Sequence, residues 1–410
     1  MCRGAGTTFR ELVDDGSIEI GDGYRAKLKE LNGDGPLFLR AGALTDRGFD
    51  WKGLDAFQRT APVQTKRGKA GDTVITTKGN SVGRVGQVPA DAPDFVYSPH
   101  LSYWRPLDKD RIDPVFLYYW ARSEAFDRQL RQLAFGTDMA PYFSLRDQLR
   151  LCIHLPSAGQ QRAIAQVLGA LDDKIVANGQ LVETAARLID ARANALITAT
   201  SMSAKLTEVA TVVKGVSYRS AHLGLSTAAL VTLKSIDRDG TFVDNGYKSF
   251  VGPYRSEQEL RSGDVIIAQT DITQSGDVIG RAVRVPGRST YDTRVASLDL
   301  AIVRPKDGMP SEYLLAALRR PEFREHCRSR ASGTTVLHLG RGAIDSYEVP
   351  VVSPEAAVRY SVFARAIHEL TDSVNAASGV LARTRDELLP LLMSGKLRVR
   401  DAQAVVSEVL

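Results

Sequence analysis

Cysteine is scarce: Cys2, Cys152 and Cys327 are the only three in 410 residues, and no two are closely spaced. That pattern argues against a disulfide framework and against a structural zinc site. No apolar run approaches the roughly 20 residues a membrane helix needs, so no membrane partner is expected. The opening stretch MCRGAGTTFRELVDDG lacks an apolar core segment. No signal peptide is therefore expected, and the expected compartment is cytoplasmic. No block of five basic residues exists, so any binding charge must be assembled by the fold.

Catalytic signatures are also missing. Asp113-Pro114-Val115-Phe116 lacks the second proline of the aromatic motif of amino methyltransferases, and no glycine-rich turn accompanies it. Ser394-Gly395-Lys396-Leu397 lacks the first glycine and the hydroxyl of a phosphate-binding loop. Asp172-Asp173-Lys174 falls on a long helical pattern as a solvated face. His326 and Cys327 are adjacent rather than at metal-ligand spacing. No acid/base pair can be named. The expectation is a binding protein, not an enzyme, with no cofactor and no metal.

What is present is positive charge and repetition. The net charge is +5, carried by 39 Arg and 14 Lys against 48 acidic residues. Arginine suits bidentate contact with phosphate and guanine better than lysine does. A GC-rich coding sequence produces the same bias, so charge permits a polyanion partner without proving one.

The repetition is more informative. GDTVITTKGNSVGRVG (71–86) and GDVIIAQTDITQSGDVIGRA (263–282) open on Gly-Asp, run through β-branched residues and close on Gly-Arg. The Gly-Asp pairs lie 192 residues apart (263 − 71) and the Gly-Arg pairs 197 (280 − 83), so the second polar loop is five residues longer. GDGYR and GVSYR precede them, and FLYYWARSEAFDRQLRQLAFGT aligns without gaps on YLLAALRRPEFREHCRSRASGT. A common order, near-constant shifts and one localised insertion describe two copies of a scaffold carrying different loops. Each copy reads as mixed α/β. DTVITT, GRVGQV, FVYSPHLSYWRP and LRLCIHLP are expected strands, and PVFLYYWARSEAFDRQLRQLA one helix.

Each copy is followed by a long helical pattern. Apolar or small positions step 4-3-4-3 through Ile164, Leu168, Leu171, Ile175, Asn178, Val182, Ala185 and Ile189, and the same steps run on to Arg192 and Leu196. After the second copy they step through Phe363, Ile367, Leu370, Val374, Ala377, Leu381, Thr384, Leu388 and Leu391. These are heptad seams. Each predicts a helix of roughly 50–60 Å at 1.5 Å per residue, with the other as its partner. Asn178 is the polar member of its seam, placed opposite Ala377, where it either fixes register or sits at a bend or a water.

The order unit–helix–unit–helix resembles the specificity subunit of type I restriction-modification systems over essentially the whole chain. Leu155, Pro156, Gln161, Ile164, Ala165, Leu171, Asp172, Lys174 and Ile175 match the family's central phrase. Arg385, Asp386, Leu388, Leu389, Pro390, Leu392 and Gly395 match its terminal phrase. The segment after the second copy lacks the Gln-x-x-Ile-Ala words. The resemblance implies an α+β fold with two mixed α/β target recognition domains in pseudo-twofold repeat, joined by two long antiparallel coiled-coil helices. Recognition domains are expected over 1–156 and 200–350, and spacer helices over 157–199 and 351–410.

It further implies that each domain reads one half of a split site in double-stranded DNA. The helices would set the gap and dock adenine-N6 DNA methyltransferase subunits, and a motor-nuclease restriction subunit would join. Half-site centres about one turn, ~34–36 Å, apart fit between such helices. Candidate contacts are Lys78, Asn80, Ser81 and Arg84 in the first loop, and Gln269, Thr270, Gln274 and Arg281 in the second. Further candidates are Tyr24, Arg25, Tyr218 and Arg219, with Thr137, Tyr142, Thr334, His338 and Arg341 after the helices. Two rivals stay open: a methyltransferase with built-in specificity, and a coiled-coil scaffold or inhibitor that does not read DNA.

Overall fold

The computed structural model describes the chain apart from residues 1–5, 46–47, 60–62, 136–140, 239, 244–245, 274, 288 and 290. It divides into two compact units, Met1–Val176 with Gly379–Leu410, and Ala177–Ser378. Both long helices contribute to both units.

In the first unit a four-stranded antiparallel sheet is built from β1 (Ile18–Asp22), β2 (Thr73–Thr76), β3 (Val85–Gln87) and β4 (Leu101–Pro106), in the order β1-β4-β2-β3. The strand β4 is internal to the sheet and buried at every position, and its polar members Ser102 and Arg105 are hydrogen-bonded there, to Gly21 and Gln148 and to Asp72. Behind it lie α1 (Pro114–Trp120) and α2 (Glu124–Ala134). One helix was expected there and two form. Ser123 interrupts: its hydroxyl donates to the Trp120 carbonyl at 2.7 Å and caps the next helix at the Phe126 amide. The Asp-Pro phrase is also a helix start, with Asp113 Oδ1 accepting from the Val115 and Phe116 amides, both at 2.9 Å.

The expected strand FVYSPHLSYWRP also divides. Phe95–Tyr97 pairs in parallel with Leu37–Leu39 in a separate small sheet, and only the remainder is β4. LRLCIHLP yields only Cys152–Ile153, paired with Thr7–Thr8. Cys152 is disulfide-bonded, against the expectation from cysteine spacing. Cys327 is a free, buried thiol.

The long helix α3 spans Ala158–Thr198. The second unit then repeats the sheet with β5 (Ala210–Lys214), β6 (Val265–Ala268), β7 (Ala282–Arg284) and β8 (Leu300–Pro305). The order is β5-β8-β6-β7, again all antiparallel. The helices α4 (Ser311–Leu318) and α5 (Pro321–Arg328) follow. Here Pro321 makes the break, since proline opens a helix but cannot continue one. The chain closes with α6 (Pro354–Met393) and α7 (Val399–Val409).

Each unit buries parts of both long helices in its own core. In the first, Ile164, Leu168 and Leu171 of α3 join Leu381, Leu388, Leu389 and Leu392 of α6, with Trp104 and Phe116 from the globular part. In the second, Ile189, Ala193 and Ile197 of α3 join Ala357, Tyr360 and Ala364 of α6, with Tyr313 and Phe323. Amphipathic helices of this length need such tertiary partners, because a narrow apolar stripe does not hold them alone. Among the described residues no helix is long and apolar enough to cross a membrane.

Candidate nucleic-acid interface

The repeated phrase has a physical explanation in its fixed words. Gly71 and Gly263 have φ of +85° and +84°, and Gly83 and Gly280 have +90° and +73°. All four are in the left-handed region that favours glycine. A Cβ on Gly83 would lie 2.3 Å from Leu130 of α2, and one on Gly280 2.5 Å from Cys327 of α5. The loop base therefore presses against the same helix in both units.

The aspartates are framework too. Asp72, 1% exposed, accepts from Arg105 Nε at 2.7 Å and Nη2 at 2.6 Å, and from the Tyr97 hydroxyl at 2.8 Å. Asp264 accepts from Arg304 Nε at 3.3 Å and Nη2 at 2.8 Å. Sequence reasoning passed over both arginines. Their signal was the Arg-Pro ending shared by the two central strands, β4 and β8.

Backbone closure of the loops is also common. The Thr76 amide donates to the Arg84 carbonyl and the Gly83 amide to the Thr76 carbonyl, at 3.0 and 2.9 Å. The Ala268 amide donates to the Arg281 carbonyl and the Gly280 amide to the Ala268 carbonyl, at 3.1 and 2.9 Å. Between these pairs the units part company. In the first loop the buried Thr76 hydroxyl accepts from the Arg84 amide at 3.0 Å and donates to the Ser81 carbonyl. Ala268 has no hydroxyl, and in its place Asp271 holds the longer loop. Its Oδ1 accepts from the Thr273 amide and hydroxyl at 2.8 and 2.7 Å. Its Oδ2 accepts from the Val278 and Ile279 amides at 2.6 and 3.1 Å. These bonds outweigh burial and hold its carboxyl below the usual aspartate value.

Each loop meets the segment after the helix pair. Lys78 bridges to Tyr142, with Nζ 4.7 Å from the ring centre of that half-exposed tyrosine. Thr270 pairs with His338, which is exposed. Two groups of candidates that are far apart in sequence are thus brought together in each unit. Asn80, Arg25, Arg219, Thr334 and Arg341 are exposed, and Ser81 is half-buried.

Other candidates face the frame. Arg84 donates through Nη1 to the Leu44 carbonyl at 2.9 Å, and Arg281 through Nε to the Asp277 carbonyl at 2.7 Å. Thr270 is buried and donates to Asp299 Oδ1 at 3.0 Å, while Gln269 Nε2 donates to the Leu298 carbonyl at 3.3 Å. Tyr24 donates to Glu30 at 3.1 Å and packs beside Phe57. Tyr218 accepts from Lys248 at 3.1 Å and packs near Val216 and Phe250. Thr137 and Gln274 lie outside the described residues.

On the helices, Gln161 of the central phrase is 1% exposed and ties α3 to the first unit. It accepts from the Asp113 amide at 2.9 Å and donates to the Arg111 and Pro156 carbonyls at 3.2 and 2.9 Å. Ala357, the third residue beyond the start of α6 as Gln161 is of α3, cannot do this. Asp172 accepts from Tyr119 at 2.6 Å and Arg385 at 2.5 Å. Burial and this carboxylate together push the Tyr119 hydroxyl far up.

Ile164, Leu168, Leu171, Asn178 and Ile189 are buried on α3, with Ile175 and Val182 partly so. On α6, Leu381 and Leu388 are buried and Ile367 and Val374 partly so. The other expected positions are displaced by one residue. Leu370 is 47% exposed; the inward frame passes through the buried Ala364 and the partly buried Thr371 and Ser378 instead, with Phe363 on its flank beneath Arg192 at 4.3 Å. Asn178 accordingly donates to Ser378 Oγ at 3.0 Å rather than facing Ala377. Both frames step 4-3-4-3 through Ile367, Val374, Leu381 and Leu388, so periodicity alone could not choose between them.

No family model matches the chain. It is 31% identical over 111 residues to the type I restriction enzyme MjaVIII specificity subunit of Methanocaldococcus jannaschii, a match covering 26% of this chain and 25% of that one. It is 23% identical over 409 residues to the type I restriction enzyme HindI specificity subunit of Haemophilus influenzae, covering 82% and 89%. The crystal structure of a type I restriction-modification S subunit from M. genitalium superposes with a TM-score of 0.58 at 16% identity, covering 94% and 95%. The mixed α+β fold is therefore that of an S subunit. The chain's resemblance to type I specificity subunits holds in sequence relatives as well as in fold.

Proposed function

We propose that this chain is the DNA sequence-specificity subunit of a type I restriction-modification complex, with no catalytic activity of its own. The observation that carries the reading is one frame built twice with unequal loops. Sheet order, loop-closing bonds and the Asp–Arg pair are common, whereas the residues displayed between them are not. That is the arrangement an asymmetric, two-part DNA site requires. Residues 1–156 and 200–350 act as target recognition domains, each reading one half.

Residues 157–199 and 351–410 act as spacer helices in an antiparallel coiled coil. The pairs Asn178–Ser378 and Arg192–Phe363 support that course, since the number falls on α6 as it rises on α3. The helices set the gap between half-sites and dock adenine-N6 methyltransferase subunits, and a motor-nuclease subunit completes the complex in the cytoplasm.

The test is to map methylated adenine in DNA from cells expressing this chain with its modification subunit, against cells lacking the chain. A new motif of two unlike halves with a fixed gap is expected. A stable complex that adds no methylation would sink the reading and leave a scaffold.

A further inference from the structure

Counted from the shared Gly-Asp, the ninth residue beyond the glycine is Asn80 in the first unit and Ile272 in the second. Both are exposed, and Ile272 is 75% so. A single exposed aliphatic side chain is ordinary on a protein surface. Its support is not. Asp271, the residue before it, is fully buried and gathers four hydrogen bonds from Thr273, Val278 and Ile279.

Three arginines hold the same loop by its carbonyls. Arg281 Nε and Arg324 Nη2 donate to Asp277 at 2.7 and 2.9 Å. Arg324 Nη2 also reaches Gly276 at 3.2 Å, and Arg328 Nη2 reaches Ser275 at 3.0 Å. The amides of Thr273, Val278 and Ile279 are bound from within, and the carbonyls from Arg281 at the loop's end and from Arg324 and Arg328 of the helix α5. A loop held at both sets of backbone groups presents its outward side chain in one position, which is what preorganised recognition requires.

We infer that Ile272 is a specificity-determining residue of the second unit, reading the methyl group of a thymine in its half-site, and that Asp271 is the residue that positions it. This rests on the DNA-specificity reading above. An aliphatic side chain can offer a base edge only apolar contact, and in the major groove the thymine C5-methyl is the apolar group. Asn80, at the same place in the first unit, carries the amide that suits adenine instead. The two units thereby differ at one position in the chemistry of the base they select.

Three measurements on the full chain with its modification subunit test this. First, uracil replaces each thymine of the mapped site in turn, removing only the methyl. At one position in one half the wild type should lose about three- to tenfold in affinity, and Ile272→Ala should lose nothing further there. A half-site without thymine, uracil tolerated at every position, or full uracil sensitivity kept in Ile272→Ala would each overturn the contact. Second, Asp271→Asn should relax the motif in that half and leave the other half intact, which general unfolding would not do. An unchanged motif, or loss of both halves together, overturns the positioning role. Third, amide exchange at Val278 and Ile279 needs no DNA. Protection in the wild type that falls at least tenfold in Asp271→Asn is expected, and equal protection in the two overturns it. If the wild type yields no split motif at all, the specificity reading and the thymine contact both fail, and the exchange result still decides the role of Asp271.

Discussion

The first loop, between Thr76 and Arg84, and the second, between Ala268 and Arg281, solve one problem in two ways. Both leave a buried strand, turn and come back through a left-handed glycine. The shorter loop is held by one threonine hydroxyl at its root. The longer has five more residues to order, and backbone entropy makes each cost about 1–2 kcal/mol. It is held by a buried carboxylate inside and three guanidinium groups outside. A scaffold can change what it displays without changing its frame, provided each new loop brings its own internal bonds.

The largest test of that comparison strikes the frame itself. Asp72→Asn leaves Arg105 buried with an incomplete partner, and losing half of a buried pair costs about 3–5 kcal/mol. Asp264→Asn should cost less, because Asp264 and Arg304 are more exposed than Asp72 and Arg105. Urea unfolding of the two variants measures both. Equal costs would mean that the frames are held by something other than this pair.

Next is an acid dependence confined to the second unit. Asp172 and His368 are each fourteen residues beyond the first residue of their helix (172 − 158 and 368 − 354). Burial, then Arg284 and Arg319, push the imidazole down to about 4, against the opposing pull of Asp372 and Glu312. The unfolded chain takes up that proton near 6.5, so the contribution is full above 6.5 and declines as pH falls from 6.5 to about 4. The decline is at most about 3 kcal/mol. His368→Gln should flatten the stability curve over that interval, and an unaltered slope would refute the assignment.

Smaller effects separate the loops. Thr76→Val removes the hydroxyl that accepts from the Arg84 amide and should destabilise the first unit by about 1–2 kcal/mol. Ala268→Thr should not reproduce the gain in the second, where Asp271 already holds the loop. Asn178→Ala removes one bond to Ser378 and should cost about 1 kcal/mol. A change well beyond that in either direction would show that register, not one bond, depends on Asn178.

Much of this was legible in the residues. The repeat, the five-residue difference between loops and the two long helices follow from Gly-Asp, Gly-Arg and the 4-3 spacing. The break at Pro321 was legible too, since proline opens a helix and does not continue one, whereas its counterpart in the gapless alignment, Glu124 (321 − 197), carries no such signal. Gln269, Thr270, Arg84 and Arg281 read as free polar side chains, since composition cannot say which way a side chain turns. In the fold each has a frame carbonyl or carboxylate within reach.

The sequence by itself determined what is local and periodic: which residues alternate, which glycines stand at turns, and that one segment recurs with a longer loop. These depend on backbone sterics and on the spacing of apolar side chains, which are properties of neighbours along the chain. Only the tertiary structure decided which seam frame turns inward, that Asp72 meets Arg105 and Asp264 meets Arg304, and that Asp271 faces inward while Ile272 faces out. Those outcomes depend on which groups from distant parts of the chain satisfy one another once water is excluded, and a buried charge or amide takes whatever partner the packing brings within hydrogen-bond distance.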